Sequence, residues 1–224
     1  MPRRNLPLVT GEIYHIFNKG VNGTEIFSTK RDYQRAIRLL EYYRFITPPL
    51  RYSRLKDIPS DQRIKILNNL NKENQLLVTI LSYCLMPNHF HLLVKQVNDI
   101  GISKFMSQFQ NSYARYFNTR HGRAGPLFLG QFKAKRITNQ EILLHAHRYI
   151  QLNPYSSFIV KDFNELKLYP WSSFPEYLDN DRPTICDKED ILSSFKSPKS
   201  YTNFVLDHAD YQRNLELTKH FVSE

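Results

Sequence analysis

The alternation of hydrophobic and polar positions predicts a four-stranded sheet with helices between its strands. Apolar, β-branched runs predict strands at Tyr14–Val21, Leu76–Leu85, His89–Gln96 and Leu127–Ile137. Apolar residues at helical spacing predict helices over Lys30–Phe45, Ser103–His121 and Gln140–Asn153. The order β-α-β-β-α-β-α predicts the α+β class, with a ferredoxin-like split-βαβ antiparallel sheet that carries helices.

Capping residues and helix breakers set the predicted ends of these elements. Ser28 or Thr29 can cap the first helix and Asn139 the last, while Pro154 is expected to end the last helix. Asn22-Gly23 is a turn signal after the first strand.

Two segments fall outside this pattern. Residues 47–75 contain prolines and then a short polar helix near Asp61–Asn71, which indicates an insertion. Beyond Val160 we expect a C-terminal helical extension, with short helices near residues 187–196 and 199–221. The sequence therefore predicts one domain at residues 8–160 and an accessory extension at residues 161–224.

The composition excludes several classes of protein. The 224 residues have a mean hydropathy of −0.50 and no stretch of about 18 uncharged apolar residues, so no membrane span is expected. The first residues, Met1 to Asn5, lack the apolar run of a signal peptide. Two cysteines, Cys84 and Cys186, cannot form a disulfide framework, which favours a reducing, cytoplasmic location.

The net charge of +10 is concentrated in one part of the chain. Residues 100–140 contain no Asp or Glu, but they contain the basic residues Lys104, Arg115, Arg120, Arg123, Lys133, Lys135 and Arg136. Aromatic residues are interleaved with them, at Phe105, Phe109, Tyr113, Tyr116, Phe117, Phe128 and Phe132. This pattern suits phosphates and stacked, unpaired bases, although a solvated helix face above core aromatics is the alternative.

The segment His89-Phe90-His91 is the first candidate site. Side chains alternate along a strand, so the two imidazoles share one face while Phe90 points toward the core. Two neighbouring imidazoles can bind one divalent cation, but two polar residues on a half-exposed strand give the same pattern.

A second candidate lies in the last predicted helix, where Tyr149 and Asn153 share one face. Asn153 offers a carbonyl oxygen as a third ligand, and the Tyr149 phenol could become a nucleophile. Spacing alone does not choose Tyr149 over Tyr113 or Tyr116. His145, one turn earlier, is a candidate proton acceptor, although a packed or solvated histidine is the more common case.

Together these segments resemble a known family. The resemblance rests on Met86–Val94, which holds the His-hydrophobe-His signature, and on Asn18–Gly20, Gly122–Phe128, Arg148–Pro154 and Tyr169–Ser173. Over about residues 8–180 the chain resembles the single-tyrosine HUH transposases, the insertion-sequence-200-like group, and within it most closely the REP-associated tyrosine transposases. The third metal ligand of the family is often Gln, and Asn153 agrees with the REP-associated subgroup.

The resemblance implies the HUH endonuclease fold and a metal-dependent single-stranded DNA endonuclease and strand transferase. His89, His91 and Asn153 would hold Mg²⁺ or Mn²⁺, and Tyr149 would attack the scissile phosphate to form a 5′-phosphotyrosine. The implied substrate is single-stranded DNA folded as an imperfect hairpin, held by the basic residues. The long tail favours a monomer, with a homodimer as the alternative.

Two other functions fit much of the same sequence. A catalytically idle module that binds hairpin or single-stranded DNA would keep the fold and the basic residues. Such a module would need none of His89, His91, Tyr149 and Asn153, which are all present. A metal-dependent nuclease that uses water instead of tyrosine would leave no protein–DNA bond.

Overall fold

The computed structural model describes residues 7–179 and 181–214. The strands are β1 (Ile13–Lys19), β2 (Val78–Met86), β3 (His89–Gln96) and β4 (Lys133–Ile137). The helices are α1 (Lys30–Tyr43), α2 (Ser60–Glu73), α3 (Gly101–Arg120), α4 (Gln140–Ser156), α5 (Phe163–Leu168), α6 (Phe174–Leu178), α7 (Glu189–Leu192) and α8 (Pro198–Leu206). Residues 1–5 and the end of the last predicted helix, residues 215–221, lie outside the described residues. No helix of the described part is both long and apolar enough to cross a bilayer.

The sheet confirms the predicted α+β, ferredoxin-like architecture. Its strand order is β2-β3-β1-β4, and all three neighbouring pairs are antiparallel. Helix α1 connects β1 to β2 and α3 connects β3 to β4, which is the split-βαβ arrangement. Thr29, one of the two residues predicted to cap α1, does so in a reciprocal capping box with Asp32.

The two faces of β3 differ, as the alternation predicted. Phe90, Leu92 and Val94 are fully buried on the face covered by α1 and α3, where the Phe90 ring lies 5.5 Å from that of Phe109. His89 and His91 point to the other face, against which α4 packs. The apolar core thus fixes the strand and leaves both histidines on its second face.

The predicted strand Leu127–Ile137 is wrong for its first half. Only Lys133–Ile137 pairs continuously with β1, and a single bridge joins Phe128 to Gly20. Gly130 has a φ of 59°, a left-handed conformation that cannot continue a strand. Leu127 and Phe128 are nevertheless buried, so their hydrophobicity reflects core packing rather than strand pairing.

Pro154 does not end the last helix. Helix α4 runs through it to Ser156, because a proline near the C-terminus of a helix removes only one backbone donor. The chain leaves the helix at Phe158, whose φ is 59°. Asn153 therefore lies within regular helix and is 3% exposed.

The insertion 47–75 forms a 3₁₀ helix, Tyr52–Asp57, followed by α2, which is longer than the polar helix predicted there. It lies beside α1, where the Tyr42 hydroxyl donates to the carbonyl of Leu50 at 2.7 Å. The insertion thus extends the helical side of the molecule, away from His89 and His91.

The extension beyond Val160 packs along β2 and α4. Backbone hydrogen bonds join Leu85 N to Trp171 O at 2.8 Å and Ser173 N to Tyr83 O at 2.9 Å. Helices α5 and α6 within it were not predicted, because each spans fewer than two turns and shows no clear periodicity.

Candidate active site

Strands β3 and β1 bring three histidines together on the face of the sheet opposite α1 and α3. The rings of His89 and His91 lie 5.0 Å apart, and His91 pairs in register with Phe17 of β1. His15, two residues before Phe17, places Nε2 2.9 Å from Nδ1 of His91. The shared face of His89 and His91 is therefore as predicted, and His15 is an additional member of the cluster.

Burial makes His15 and His91 neutral at ordinary pH. For His91, burial and then the neighbouring His89 and His15 hold the pKa well below its usual value. For His15, burial and then the charge of Lys135 lower the pKa to about 4. When both rings are neutral, a single proton lies between Nε2 of His15 and Nδ1 of His91. If Nδ1 of His91 carries that proton, Nε2 of His91 keeps a lone pair that can bind a metal.

His15 could not be assigned from the sequence. An isolated histidine on a strand shows only which face it occupies relative to its own neighbours. Its contact with His91 depends on the β1–β3 register, which pairs His15 with Leu93 and Phe17 with His91.

Helix α4 presents Tyr149 and Asn153 to this cluster. The Tyr149 ring lies 5.5 Å from the ring of His91, edge to face, and 6.0 Å from that of His15. One turn further on, Oδ1 of Asn153 lies 3.2 Å from Nε2 of His89. The structure therefore brings together all four residues predicted for catalysis and metal binding.

The C-terminal extension holds α4 in place. Arg148 donates to the carbonyl of Phe204 at 3.2 Å and stacks on its ring, and the buried His147 lies 3.0 Å from the Tyr201 hydroxyl. Gln212 donates to the carbonyl of Tyr149 at 3.2 Å. These contacts fix the rotation of the helix and with it the direction of the Tyr149 side chain.

The chemistry of the donor set fits a divalent cation. The Asn88 amide oxygen lies 2.7 Å from Nδ1 of His89 and can only accept, so in the neutral ring that a metal requires Nδ1 carries the proton and Nε2 keeps a lone pair. That lone pair faces a second acceptor, Oδ1 of Asn153, at 3.2 Å. Adjacent ligands of an octahedral ion with bonds of about 2.1 Å lie about 3 Å apart.

Three side chains alone do not complete the coordination sphere of an octahedral ion. No cluster of three or more His, Cys, Asp or Glu residues suited to a metal exists within residues 7–179 and 181–214. Two imidazoles and one amide carry no negative charge, so a bound ion would keep positions for water or phosphate oxygens.

The basic residues predicted to bind DNA separate into two groups in space. Lys133 and Lys135 are exposed and share the face of the histidine cluster, where Nζ of Lys133 lies 6.0 Å from the Phe17 ring centre. Phe17 is half-buried beside His91, at 5.7 Å between ring centres. This part of the sheet combines positive charge with an aromatic ring.

The other predicted basic residues lie away from the cluster. Arg136 points to the opposite face and pairs with Glu12 at 2.6 Å, and Arg120 lies 3.6 Å from the buried Asp32. Lys104 donates to the carbonyl of Ile46, Arg123 bonds Asn118, and Arg115 lies on α3. Residues 100–140 lack acidic residues, but the fold brings acidic partners from elsewhere in the chain.

The competing tyrosines are not near the cluster. Tyr113 is buried and donates to the carbonyl of Ile26, and Tyr116 bonds Asp32 at 3.0 Å. Burial raises the pKa of both phenols. Geometry therefore separates Tyr149 from these two residues, which spacing alone could not do.

His145 is not poised to accept a proton. Its Nδ1 lies 2.7 Å from a nitrogen of Arg148, which can only donate, so the single lone pair of the neutral imidazole is occupied. Its Nε2 faces the exposed Glu141 at 3.7 Å.

Comparison with known proteins identifies the fold and the family of the chain. No curated protein matches the chain. Among solved structures, a REP-associated tyrosine transposase bound to a REP hairpin is similar over 83% of this chain and 90% of its own, with a TM-score of 0.54 and 15% identity. At this identity the likeness shows the fold alone. The sequence model of the family described as "Transposase IS200 like" matches residues 37–153, which include His89, His91, Tyr149 and Asn153. Since that match covers more than half of the residues, the chain belongs to the IS200-like transposases.

Proposed function

We propose that this transposase is a metal-dependent, single-stranded DNA endonuclease and strand transferase that cuts hairpin-associated DNA through a 5′-phosphotyrosine. The observation that carries the proposal is the Tyr149 ring seated 5.5 Å from His91, beside the donor atoms of His89 and Asn153. A nucleophile next to convergent electron-pair donors suits phosphoryl transfer. The REP hairpin bound by the similar transposase supports DNA hairpins as the substrate class.

His89, His91 and Asn153 would hold Mg²⁺ or Mn²⁺. Such an ion, when bound, polarises the scissile phosphate and offsets the charge that develops on its oxygens. The low pKa of His91 favours this role, because an imidazole must be unprotonated to bind a metal. His15, hydrogen-bonded to Nδ1 of His91, would orient that ring.

Tyr149 would supply the nucleophilic oxygen. A bond forms between its phenolic oxygen and phosphorus, and the bond from phosphorus to the 3′ oxygen of the preceding nucleotide breaks. The phenol gives up its proton to solvent or a phosphate oxygen, since His145 is engaged by Arg148, and the departing 3′ oxygen takes up a proton. The phosphotyrosine remains a phosphodiester, so a 3′ hydroxyl can attack it in turn and rejoin DNA.

Lys133, Lys135 and Phe17 would hold the unpaired strand next to Tyr149. Cations along a strand of the sheet suit backbone phosphates, and an accessible ring suits base stacking. For Lys104, Arg115, Arg120, Arg123 and Arg136, contact with DNA stays a prediction, and none of them lies beside Tyr149.

We also propose a cis-acting monomer with a domain at residues 8–160 and an extension at residues 161–224. The supporting observation is that Tyr149, Asn153 and both histidines of β3 meet within one chain. Mixing Tyr149→Phe with His91→Ala protein tests this, because a cis site predicts no recovered cleavage, whereas a site shared between two chains would recover it.

The test of the chemistry uses hairpin DNA with an unpaired flank, labelled at either end and incubated with Mn²⁺ before denaturing electrophoresis. A 5′-phosphotyrosine retains the 3′-labelled fragment on the protein and releases the 5′-labelled fragment with a free 3′ hydroxyl. Tyr149→Phe should abolish the adduct while DNA affinity survives, because only the phenolic oxygen is removed. Tyr113→Phe and Tyr116→Phe are matched controls that should still form it.

Other outcomes point to the alternative functions. Cleavage without an adduct would identify a nuclease that uses water, and binding without cleavage would identify an idle DNA-binding module. An adduct that persists in Tyr149→Phe would refute the assignment of the nucleophile.

A further inference from the structure

A second basic surface lies on the side of the sheet opposite Tyr149. It is an open groove of about 1340 Å³ between α1, α3 and the insertion 47–75. Among the residues that the structure describes, eight lysines and arginines line it, and no Asp or Glu does. Three come from α1 (Arg31, Arg35 and Arg38) and two from α3 (Arg115 and Arg120).

The insertion supplies the other wall of this groove. Arg51, Lys56 and Arg63 come from its loop, its 3₁₀ helix and α2. The insertion faces the basic sides of α1 and α3 across the groove. The groove therefore exists because this segment is present.

Arg35 lies in this groove, and no carboxylate of residues 7–179 or 181–214 lies within ion-pair distance of it. Its guanidinium is stacked on Tyr52 at 4.4 Å and on Tyr116 at 5.1 Å, and its buried Nε has no hydrogen-bond partner among the described residues. Gln108, on the same groove wall, has a buried Oε1 that is also unpartnered there. The Nε of Arg35 is a donor, so it suits an anionic oxygen, whereas the Gln108 oxygen can only accept and does not contribute to anion binding.

The other cations of the groove are also largely uncompensated. Across the described part of the chain, only Arg120 of the eight lies within ion-pair distance of a carboxylate, that of Asp32. Like charges gathered without counter-charges cost stability, so the arrangement favours a polyanionic ligand.

The aromatic rings indicate which kind of polyanion fits. Single-strand binding sites expose rings on which bases stack. Here the Arg35 guanidinium covers one face of Tyr52 and one face of Tyr116, and Tyr43 is buried. Cations and amides remain to meet the ligand, which suits the phosphates of paired DNA, whose bases are stacked on one another.

The spacing of the arginines on α1 also suits the phosphates of paired DNA. Arg31, Arg35 and Arg38 are separated by about 6 and about 4.5 Å along the helix axis. Phosphates recur about every 3.4 Å of duplex axis along one strand. With α1 aligned along the duplex axis, successive arginines would meet phosphates one or two nucleotides apart.

We propose that the groove between α1, α3 and the insertion binds the phosphate backbone of double-stranded DNA. The inference deepens the proposed function, since it places paired DNA on one side of the sheet and the cut strand on the other. The paired DNA could be the stem of the cleaved hairpin or a separate duplex, and both offer the same phosphates.

The test measures binding of a blunt duplex by fluorescence anisotropy over a range of salt concentrations, in EDTA. Arg38→Glu combined with Arg63→Glu should weaken duplex binding by about tenfold or more and flatten the salt slope by about 1.8, at 0.9 per lost phosphate contact. Arg54→Glu is the matched control, because Arg54 lies in the same insertion but outside the groove, paired with Asp57 at 3.4 Å. Neither binding nor its loss depends on metal or on Tyr149, so this test stands if cleavage is never observed.

Three results would overturn the proposal. The double variant could bind the duplex as tightly as wild type does, or Arg54→Glu could lose as much duplex affinity as the double variant. The double variant could also lose affinity for unpaired DNA alone. A hairpin that binds more tightly than its unpaired flank alone, with the gain lost in the double variant, identifies the stem as the ligand. A labelled duplex that binds protein already saturated with hairpin identifies a separate duplex.

Discussion

The buried histidine of α4, His147, should make the stability of the fold depend on pH. Its ring is fully buried between Tyr177 and Tyr201, and its Nδ1 has no hydrogen-bond partner among the described residues. Burial lowers its pKa from 6.5 to about 3. Below pH 6.5 the unfolded chain therefore gains a proton that the folded chain does not take up until much lower pH.

The direction and size of the change in the free energy of unfolding follow from the linkage between proton binding and folding. Because the unfolded state binds more protons, stability is fully present above pH 6.5 and falls as the pH is lowered. One such histidine costs about 1.4 kcal/mol per pH unit, or about 2 kcal/mol between pH 6.5 and pH 5. His15, whose pKa is about 4, and His91 act in the same direction in the wild type and in any variant that keeps them.

His147→Gln removes the pH-dependent contribution of the buried imidazole. The amide of the introduced glutamine is long enough to replace the imidazole as the partner of the Tyr201 hydroxyl. Urea denaturation at pH 7.5, 6.5, 5.5 and 5.0 measures the effect. The variant should be less stable than wild type at pH 7.5, through lost packing, and the difference should shrink by about 2 kcal/mol at pH 5. His208→Gln, at an exposed position, is the control and should follow the wild-type curve. A wild-type-to-variant difference that is constant across this range would refute the reasoning.

Phe90→Ala should destabilise the fold by about 3–5 kcal/mol, because the ring is fully buried against α3, and a loss below about 1 kcal/mol in urea denaturation would contradict this packing. Lys133→Ala and Lys135→Ala should each flatten the salt slope of single-strand binding by about 0.7, whereas Arg136→Ala, whose side chain is paired with Glu12, should leave it unchanged. Chelation of divalent metal should abolish cleavage in the labelled-hairpin assay but leave DNA binding, and added Mn²⁺ should restore it. Cleavage that persists in excess chelator would argue against a metal-dependent reaction.

Local pattern was sufficient for the strand that carries the histidines. Alternation placed Phe90 in the core and His89 and His91 opposite, and the structure agrees because burial of one face fixes the other. The helical spacing of Tyr149 and Asn153 was equally local. That these two pairs meet follows from the packing of α4 on the sheet, which the resemblance supplied and spacing did not.

Contacts between residues far apart in the chain could not be predicted from the sequence. His15 joins the site through the β1–β3 register, and Arg120 meets Asp32 across 88 positions of the chain. The basic residues of 100–140 are contiguous in sequence, yet β4 presents its lysines to one side of the sheet and α3 its arginines to the other. The basic groove combines residues from three separate segments, so no local window reveals it.

The docking of the extension against β2 has a consequence for how the chain can be shortened. The main chain of Trp171, Ser173 and Asp187 hydrogen-bonds β2 at the edge of the sheet, with Asp187 N donating to Ile80 O at 2.9 Å. An uncovered edge strand is a template for pairing with other molecules. A fragment that ends at residue 160 would expose β2 and should form aggregates or strand-paired oligomers. The extension thus acts as a cover that keeps neighbouring molecules from joining their sheets along β2.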